Sequence, residues 1–371
     1  MIYFDNAATS YPKPGVVIER TAYALRELGG NPGRSSHRLS MIADREIFAC
    51  RTAAANMFGN LPERVIFTCN TTYALNMAIK SAYTAGGILI SDLEHNSVRR
   101  PALSLTDDVR IFDSHPELDG DERTFAILGS IKKKLRGVKL LICTAASNIC
   151  GITMPIAEIG ALCRELGVTF IVDGAQAGGI YPIDMKRGNI DILCLPGHKG
   201  LLGPGGTGMM LLSDGVELPP FVHGGSGVDS ISSGMPNLPP ERYEAGTLAT
   251  ASIAGLRAGI EFVGGLGIDR IRQHEEALAR RFREGLDGMG QIKSFESRGG
   301  MVLFRHKLLD PEETARELDK NGVCVRSGYH CAPLAHQRLA TGVGGAVRAS
   351  FSIFNTTDEV DEVLGILRKI Q

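Results

Sequence analysis

Apolar positions along this chain follow two rhythms. In some stretches apolar residues recur every three to four positions, which predicts amphipathic helices at 16–28, 39–57, 73–83, 122–135 and 155–166. Between them lie short runs that are apolar almost throughout, at 64–68, 87–90, 109–112, 138–143, 168–173, 192–195 and 209–212, which predict strands. A run without polar alternation is buried on both faces, as in a parallel sheet covered by helices. Strand and helix alternate from 65 to 200, so βαβ units and a mainly parallel sheet are expected. Further on, 252–263, 268–286, 311–318 and 358–370 read as helices, and 301–304, 323–326 and 347–351 as strands of a smaller C-terminal unit. Residues 1–15, carrying Pro12, Pro14 and Gly15, read as an extended arm. Gly167 reads as a helix stop, and Thr356 or Thr357 as the cap of the last helix, with Glu359 near its third position. The polar stretch from His223 through Pro236, Pro239 and Pro240 is a long loop of the kind that is functional or mobile.

Two of these strands end in chemistry. The run 168–173 closes on Asp173, and 192–195 runs into Pro196-Gly-His-Lys199 and a glycine-rich bend. Open α/β sheets hold ligands at the carboxyl ends of their strands. Singly, an acid at a strand end is a turn residue, and a lysine between glycines is solvated. Together they match the logic of pyridoxal phosphate binding, in which a lysine amine joins the cofactor aldehyde and an aspartate faces the pyridinium nitrogen. Gly203-Pro-Gly-Gly-Thr-Gly208 also fits G-x-G-x-x-G. A dinucleotide fingerprint must lie between a strand and a helix. Here 209–212 reads as a strand, so the glycines are assigned to a tight turn and close backbone approach.

Composition narrows the classes. The chain has 371 residues, 43% of them apolar, enough for a large core and two domains. Its 40 basic and 41 acidic residues nearly balance, which gives no basic surface for nucleic acid. No apolar run approaches the roughly 20 residues of a membrane span, and the first residues lack a signal-peptide pattern. A cytoplasmic enzyme with no membrane partner is expected. The eight cysteines include no C-x-x-C pair, so most read as buried reduced thiols, and no metal site is expected.

Asp173-Gly-Ala-Gln176 and Gly197-His-Lys199 carry a resemblance that extends from Tyr3-Phe-Asp-Asn-Ala-Ala-Thr9 to Val347-Arg-Ala-Ser350. The sequence resembles the class V aminotransferase-fold enzymes that use pyridoxal phosphate, most of all the cysteine desulfurases and selenocysteine lyases. The resemblance implies a PLP-dependent transferase of fold type I, with 16–250 as the cofactor domain and 1–15 plus 251–371 as the small domain. It implies that Lys199 holds the cofactor, that Asp173 faces its ring nitrogen, and that Gln176 and His198 support ring and phosphate. Thr71 and Thr72, hydroxyls at a helix start, would form the phosphate site. His95 of Glu94-His95 would lie over the ring and relay protons, and Asn148 would contact the ring hydroxyl and the substrate. Thr247 would reach the phosphate of a second subunit, which implies a homodimer. Arg34 and His37, in an early polar loop, are candidate further contacts.

The reaction is decided by Arg326-Ser-Gly-Tyr-His-Cys331-Ala, which is similar to the group II cysteine desulfurases. Cys331 would be the nucleophile, in polar surroundings that favour a thiolate. Arg348, with Arg326 nearby, would hold the substrate α-carboxylate through paired hydrogen bonds. L-Cysteine would give L-alanine and a persulfide on Cys331, and an acceptor protein or a reductant would take the sulfur. Two departures stand out. Pro196 occupies a place where the family commonly has a phosphate-binding Ser and offers neither hydroxyl nor N–H. The segment 332–336 is shortened, leaving His330 and His336 unassigned beside the thiol.

Three other readings remain open. A selenocysteine lyase acting on L-selenocysteine would need Cys331 less, because selenium is bound more weakly to carbon. A class V aminotransferase or epimerase would keep Lys199, Asp173 and Arg348 without needing Cys331. A non-catalytic sulfur-transfer scaffold would be colourless on purification. A cysteine protease built on His330-Cys331 lacks a positioned pair, since sequence neighbours do not by themselves make one.

Overall fold

In the computed structural model, which describes residues 1–33 and 36–370, seven strands form the expected central sheet. Their spatial order is Val65–Thr68, Gly208–Leu212, Ile192–Pro196, Thr169–Asp173, Val138–Thr144, Gly87–Ser91 and Val109–Phe112. The last five run parallel, and Gly208–Leu212 is antiparallel to both of its neighbours. The apolar runs are buried for the expected reason: every residue of Gly87–Ser91, Ile192–Pro196 and Gly208–Leu212 is inside. Helices cover the sheet on both faces and enclose two apolar cores. The strand at Gly208–Leu212 disposes of the dinucleotide reading, since no helix follows the glycines.

Local signals set the helix ends. Asn70 caps Thr71–Ala82, its Oδ1 accepting from Tyr73 N–H at 2.8 Å. Gly167 ends Ile156–Leu166 at φ 63°, a left-handed stop that glycine adopts without strain. Capping boxes open Pro311–Lys320 (Asp310 with Glu313) and Thr357–Leu367 (Thr356 with Glu359).

A second sheet takes the order Arg326–Gly328, Ala346–Ser350, Met301–His306, Ile292–Ser294, all antiparallel. Its core includes Phe4, Phe282, Phe304 and Phe351, packed edge to face. The single strand expected at 323–326 is two. Val323–Cys324 pairs in parallel with Ile2–Tyr3 of the arm, and Arg326 pairs with Arg348 in the second sheet. A period-two pattern does not reveal a strand that changes sheets. The helices Asn96–Leu103 and Pro333–Arg338 were not legible either: one contains Pro101, and the other is only six residues long. Among the described residues no single helix is long and apolar enough to cross a membrane.

Candidate active site

The carboxyl ends of the parallel strands open onto one cleft. It is lined by Thr71, Thr72, His95, Asn148, Asp173, Gln176, His198 and Lys199. Eight positions singled out in sequence, spread over 129 residues of chain, thus meet on one surface.

Lys199 leaves the strand Ile192–Pro196 on a loop held by the N-terminal arm. The carbonyl of His198 accepts from Ser10 N–H (3.0 Å), Thr9 Oγ (3.2 Å) and Lys13 Nζ (2.9 Å), and the Lys199 carbonyl accepts from Ser10 Oγ (3.0 Å). Burial lowers the Lys199 amine to about 8, against the opposing pull of Asp173, with Arg348 and Arg326 pushing the same way as burial. An amine so poised has an accessible neutral form near neutral pH.

Asp173 ends its strand fully buried, and Ala175 N–H donates to its Oδ1 at 2.9 Å. Burial raises its pKa, while that hydrogen bond and the Lys199 charge oppose the rise. A buried acid of this kind suits a partner that carries a proton on nitrogen. Gln176 is anchored to the arm, Nε2 donating to the Ala7 carbonyl at 3.0 Å.

His95 caps the helix Asn96–Leu103. Its Nδ1 accepts from Ser97 N–H at 3.0 Å, which leaves the proton of the neutral ring on Nε2. Burial first, then the charges of Lys199, Arg326, Arg100 and Arg348, bring its pKa down to about 4. Burial likewise lowers His198 to about 4. Beneath His95, Glu94 is fully buried, and its Oε1 accepts from Thr144 N–H (2.7 Å) and Ser91 Oγ (2.5 Å). Burial, reinforced by Asp173, pushes its pKa up to about 8, so the acid is protonated at neutral pH.

The cleft fits pyridoxal phosphate on a direct observation. Thr71 Oγ is buried without a hydrogen-bond partner, at the start of a helix whose cap serves Tyr73 and Ala74. An orphan hydroxyl beside open first-turn N–H groups is an anion cradle awaiting its ligand. Pro196 does lie on the wall and adds no donor. The hydroxyls of Thr72 and Ser97 lie 2.9 Å apart on the same wall, and Ser97 Oγ is 2.7 Å from His95 Nδ1, so they link the helix start to His95. Ser97 escaped the sequence reading because its helix did.

Arg348 is buried to 1% of its surface beside the cleft. It donates from Nη1 to the Asn148 carbonyl and from Nη2 to Asp5 Oδ1, both at 2.7 Å, while its Nε has no partner. Asp5 lies in the Tyr3–Thr9 motif, and no local signal pairs it with Arg348. Arg326 is half-buried next to it in the sheet, its guanidinium without a hydrogen bond among the described residues.

Cys331 is exposed and sits in a tight turn closed by Ala332 N–H to the Tyr329 carbonyl (2.9 Å). The two central residues, His330 and Cys331, have φ of 49° and 57°. Neither is glycine, so each costs of the order of 1–3 kcal/mol. The turn is held from the large sheet's side: Asn148 Nδ2 donates to the His330 carbonyl (2.8 Å), and Asn96 N–H to the Cys331 carbonyl (2.7 Å). Cys331 is thus tied to the residue following His95.

Three candidates stand apart from the cleft. Thr247 is exposed on this chain, in a segment fixed by Glu244, whose carboxylate is paired twice with Arg51 and accepts from Phe67 N–H (2.6 Å). His37 is an exposed helix cap, its Nδ1 accepting from Ser40 N–H. Arg34 lies outside the described residues.

Residues 2–363 match the family model described as aminotransferase class-V. The chain is 34% identical over 385 residues, 100% of its length and 94% of the relative's, to a probable cysteine desulfurase of Pyrococcus abyssi. It is 30% identical to a cysteine desulfurase of Yersinia pseudotuberculosis, covering 100% of this chain and 93% of that one. Among solved structures it resembles an apo cysteine desulfurase of Thermococcus onnurineus, with TM-score 0.90, 31% identity and coverage of 99% and 94%. An Escherichia coli cysteine desulfurase with 24% identity shares the fold at TM-score 0.86. The type I architecture expected from the sequence is the one these structures have.

Proposed function

This chain belongs to the aminotransferase class-V family, and from that premise we propose that it is a cysteine desulfurase dependent on pyridoxal 5'-phosphate, with Cys331 as its nucleophile. The observation that carries the reading is the turn that holds an exposed thiol, at a cost in backbone strain, against the residue after His95.

Lys199, Asp173, Gln176, His198, Thr71, Thr72 and Asn148 would hold the cofactor, which when bound draws electrons from the substrate α-carbon. Arg348 and Arg326 supply the cationic wall for the α-carboxylate of L-cysteine, with the unpaired Arg348 Nε and the free Arg326 guanidinium as donors. The Lys199 amine, lowered to about 8, takes the proton from the α-carbon. The Cys331 thiolate bonds to the substrate sulfur as the carbon–sulfur bond breaks, and the electron pair stays with carbon. The β-carbon then takes a proton from His95 Nε2–H and the α-carbon takes back the proton held by Lys199, which yields L-alanine. The persulfide left on Cys331 is exposed to solvent, where an acceptor protein or a thiol reductant takes the outer sulfur.

Thr247, presented outward by the Glu244–Arg51 pair, supports a homodimer in which it completes the partner's phosphate site. Sedimentation that returns a fully active monomer would sink that part.

The deciding experiment is product analysis on cofactor-loaded protein given L-cysteine or L-selenocysteine with a reductant. Alanine and sulfide from cysteine, lost in Cys331→Ala, are expected. Turnover of selenocysteine alone, surviving that substitution, would instead make the protein a selenocysteine lyase. No alanine from either would reject the chemistry.

A further inference from the structure

Behind Cys331 lie two histidines that this reaction does not use. His330 Nε2 is 3.1 Å from the Arg326 carbonyl, His330 Nδ1 is 3.1 Å from His336 Nε2, and His336 Nδ1 is 2.8 Å from Thr341 Oγ. The rings lie 9° from parallel with centroids 5.3 Å apart, and all three side chains are buried.

One arrangement of protons satisfies these three contacts. A carbonyl only accepts, so His330 Nε2 carries a proton. Burial, with the charge of Arg348 next in size, holds His330 down to about 3, and burial holds His336 down to about 4, so both rings are neutral. His330 Nδ1 must then accept, His336 Nε2 must donate to it, and His336 Nδ1 must accept the Thr341 hydroxyl proton. The three bonds run in one direction from Thr341 to Arg326 and fix a single tautomer for each ring.

The shortened segment explains how His336 gets there. The helix Pro333–Arg338 begins two residues after Cys331, and His336 N–H donates to the Ala332 carbonyl at 3.3 Å, which turns the ring back under the nucleophile turn. Two non-glycine residues at positive φ persist only where their surroundings over-determine them. Asn148 and Asn96 hold the two carbonyls of the turn, and the histidine chain holds the one side chain that points inward.

We propose that His336 and Thr341 are positioning residues for Cys331: by fixing the tautomer and orientation of His330 they lock the left-handed His330–Cys331 pair and keep the thiol at the reacting position. The proposal rests on Cys331 being the nucleophile, but the first of its tests does not.

The variants are His336→Leu, His336→Gln and Thr341→Val, in the full-length chain. Hydrogen exchange of the peptides covering 95–97 and 329–333 reads the Asn96 and Ala332 amides that close on the turn, without turnover. His336→Leu should speed exchange there roughly tenfold. It should lower kcat for L-cysteine roughly 10- to 100-fold, with KM and cofactor absorbance unchanged. His336→Gln, whose amide can donate to His330 Nδ1, should retain most of both. Thr341→Val, nearly isosteric, should move both in the same sense as His336→Leu and serves alone if that variant fails to fold. Wild-type exchange and kcat in His336→Leu and Thr341→Val would overturn the proposal. So would a Gln variant as impaired as the Leu one, because packing alone would then account for the histidine. Should the wild type form no alanine at all, the proposed reaction falls, while the exchange result still decides whether His336 holds the turn.

Discussion

Replacing Asp5 with alanine removes the only carboxylate paired with Arg348 among the described residues. The guanidinium is 1% exposed and already has an unpartnered Nε, so it would keep a single hydrogen bond, to the Asn148 carbonyl. Breaking one side of a buried ion pair costs about 3–5 kcal/mol, because a charge is left uncompensated. The Asp5 side chain retains 20% of its surface, so water reaches that end, and about 2–3 kcal/mol is the better expectation. Arg348→Met removes the charge itself while filling most of the space. In a double-mutant cycle, Asp5→Ala should then cost little on the Arg348→Met background, with a coupling of about 2 kcal/mol. Urea unfolding of cofactor-free protein, followed by far-UV circular dichroism because the chain has no tryptophan, measures all four corners. Losses that add to within about 0.5 kcal/mol would refute the pairing as an energetic unit. The same substitution should lower the Lys199 amine further, since Asp5 is one of the charges that raise it.

Glu94 and Thr71 give two further tests. Glu94 titrates near 8 in the fold against 4.5 when free, so its contribution is fully present below pH 4.5 and is lost as pH rises through 8. Glu94→Gln, neutral at every pH, should therefore gain stability over the wild type as pH goes from 4.5 to 8; a flat difference in urea midpoint would contradict the buried, protonated acid. Thr71→Val removes an orphan hydroxyl, so the cofactor-free protein should change by less than about 1 kcal/mol, while retention of pyridoxal phosphate through dialysis should drop. Undiminished retention would argue against the phosphate cradle.

The large sheet was legible because strands buried on both faces leave unbroken apolar runs, and turn residues punctuate them. Lys199 and Asp173 were legible for a related reason: a strand end in such a sheet is where ligands bind, and polar side chains there stand out. The Asp5–Arg348 pair was not legible as a pair, because its members are 343 positions apart: Arg348 reads as the holder of a substrate carboxylate, and nothing near Asp5 points to it. Ser97 was hidden by Pro101, which masked a short helix, and the histidine chain by a six-residue helix too brief for any periodicity. Thr247 was found only through family resemblance, and on a single chain the residue is exposed.

The arm that clamps the Lys199 loop has a consequence for the order in which the protein is made. Asp5 and Ser10 leave the ribosome before His198 and Lys199, and Cys331 and Arg348 only after both. A nascent chain can therefore assemble the large sheet, with its lysine already gripped by Ser10 and Lys13, while the nucleophile and the carboxylate-binding arginine do not yet exist. Until residues 326–350 arrive, Asp5 has no cation to hold, and a truncated chain carries the cofactor lysine without the group that would take sulfur.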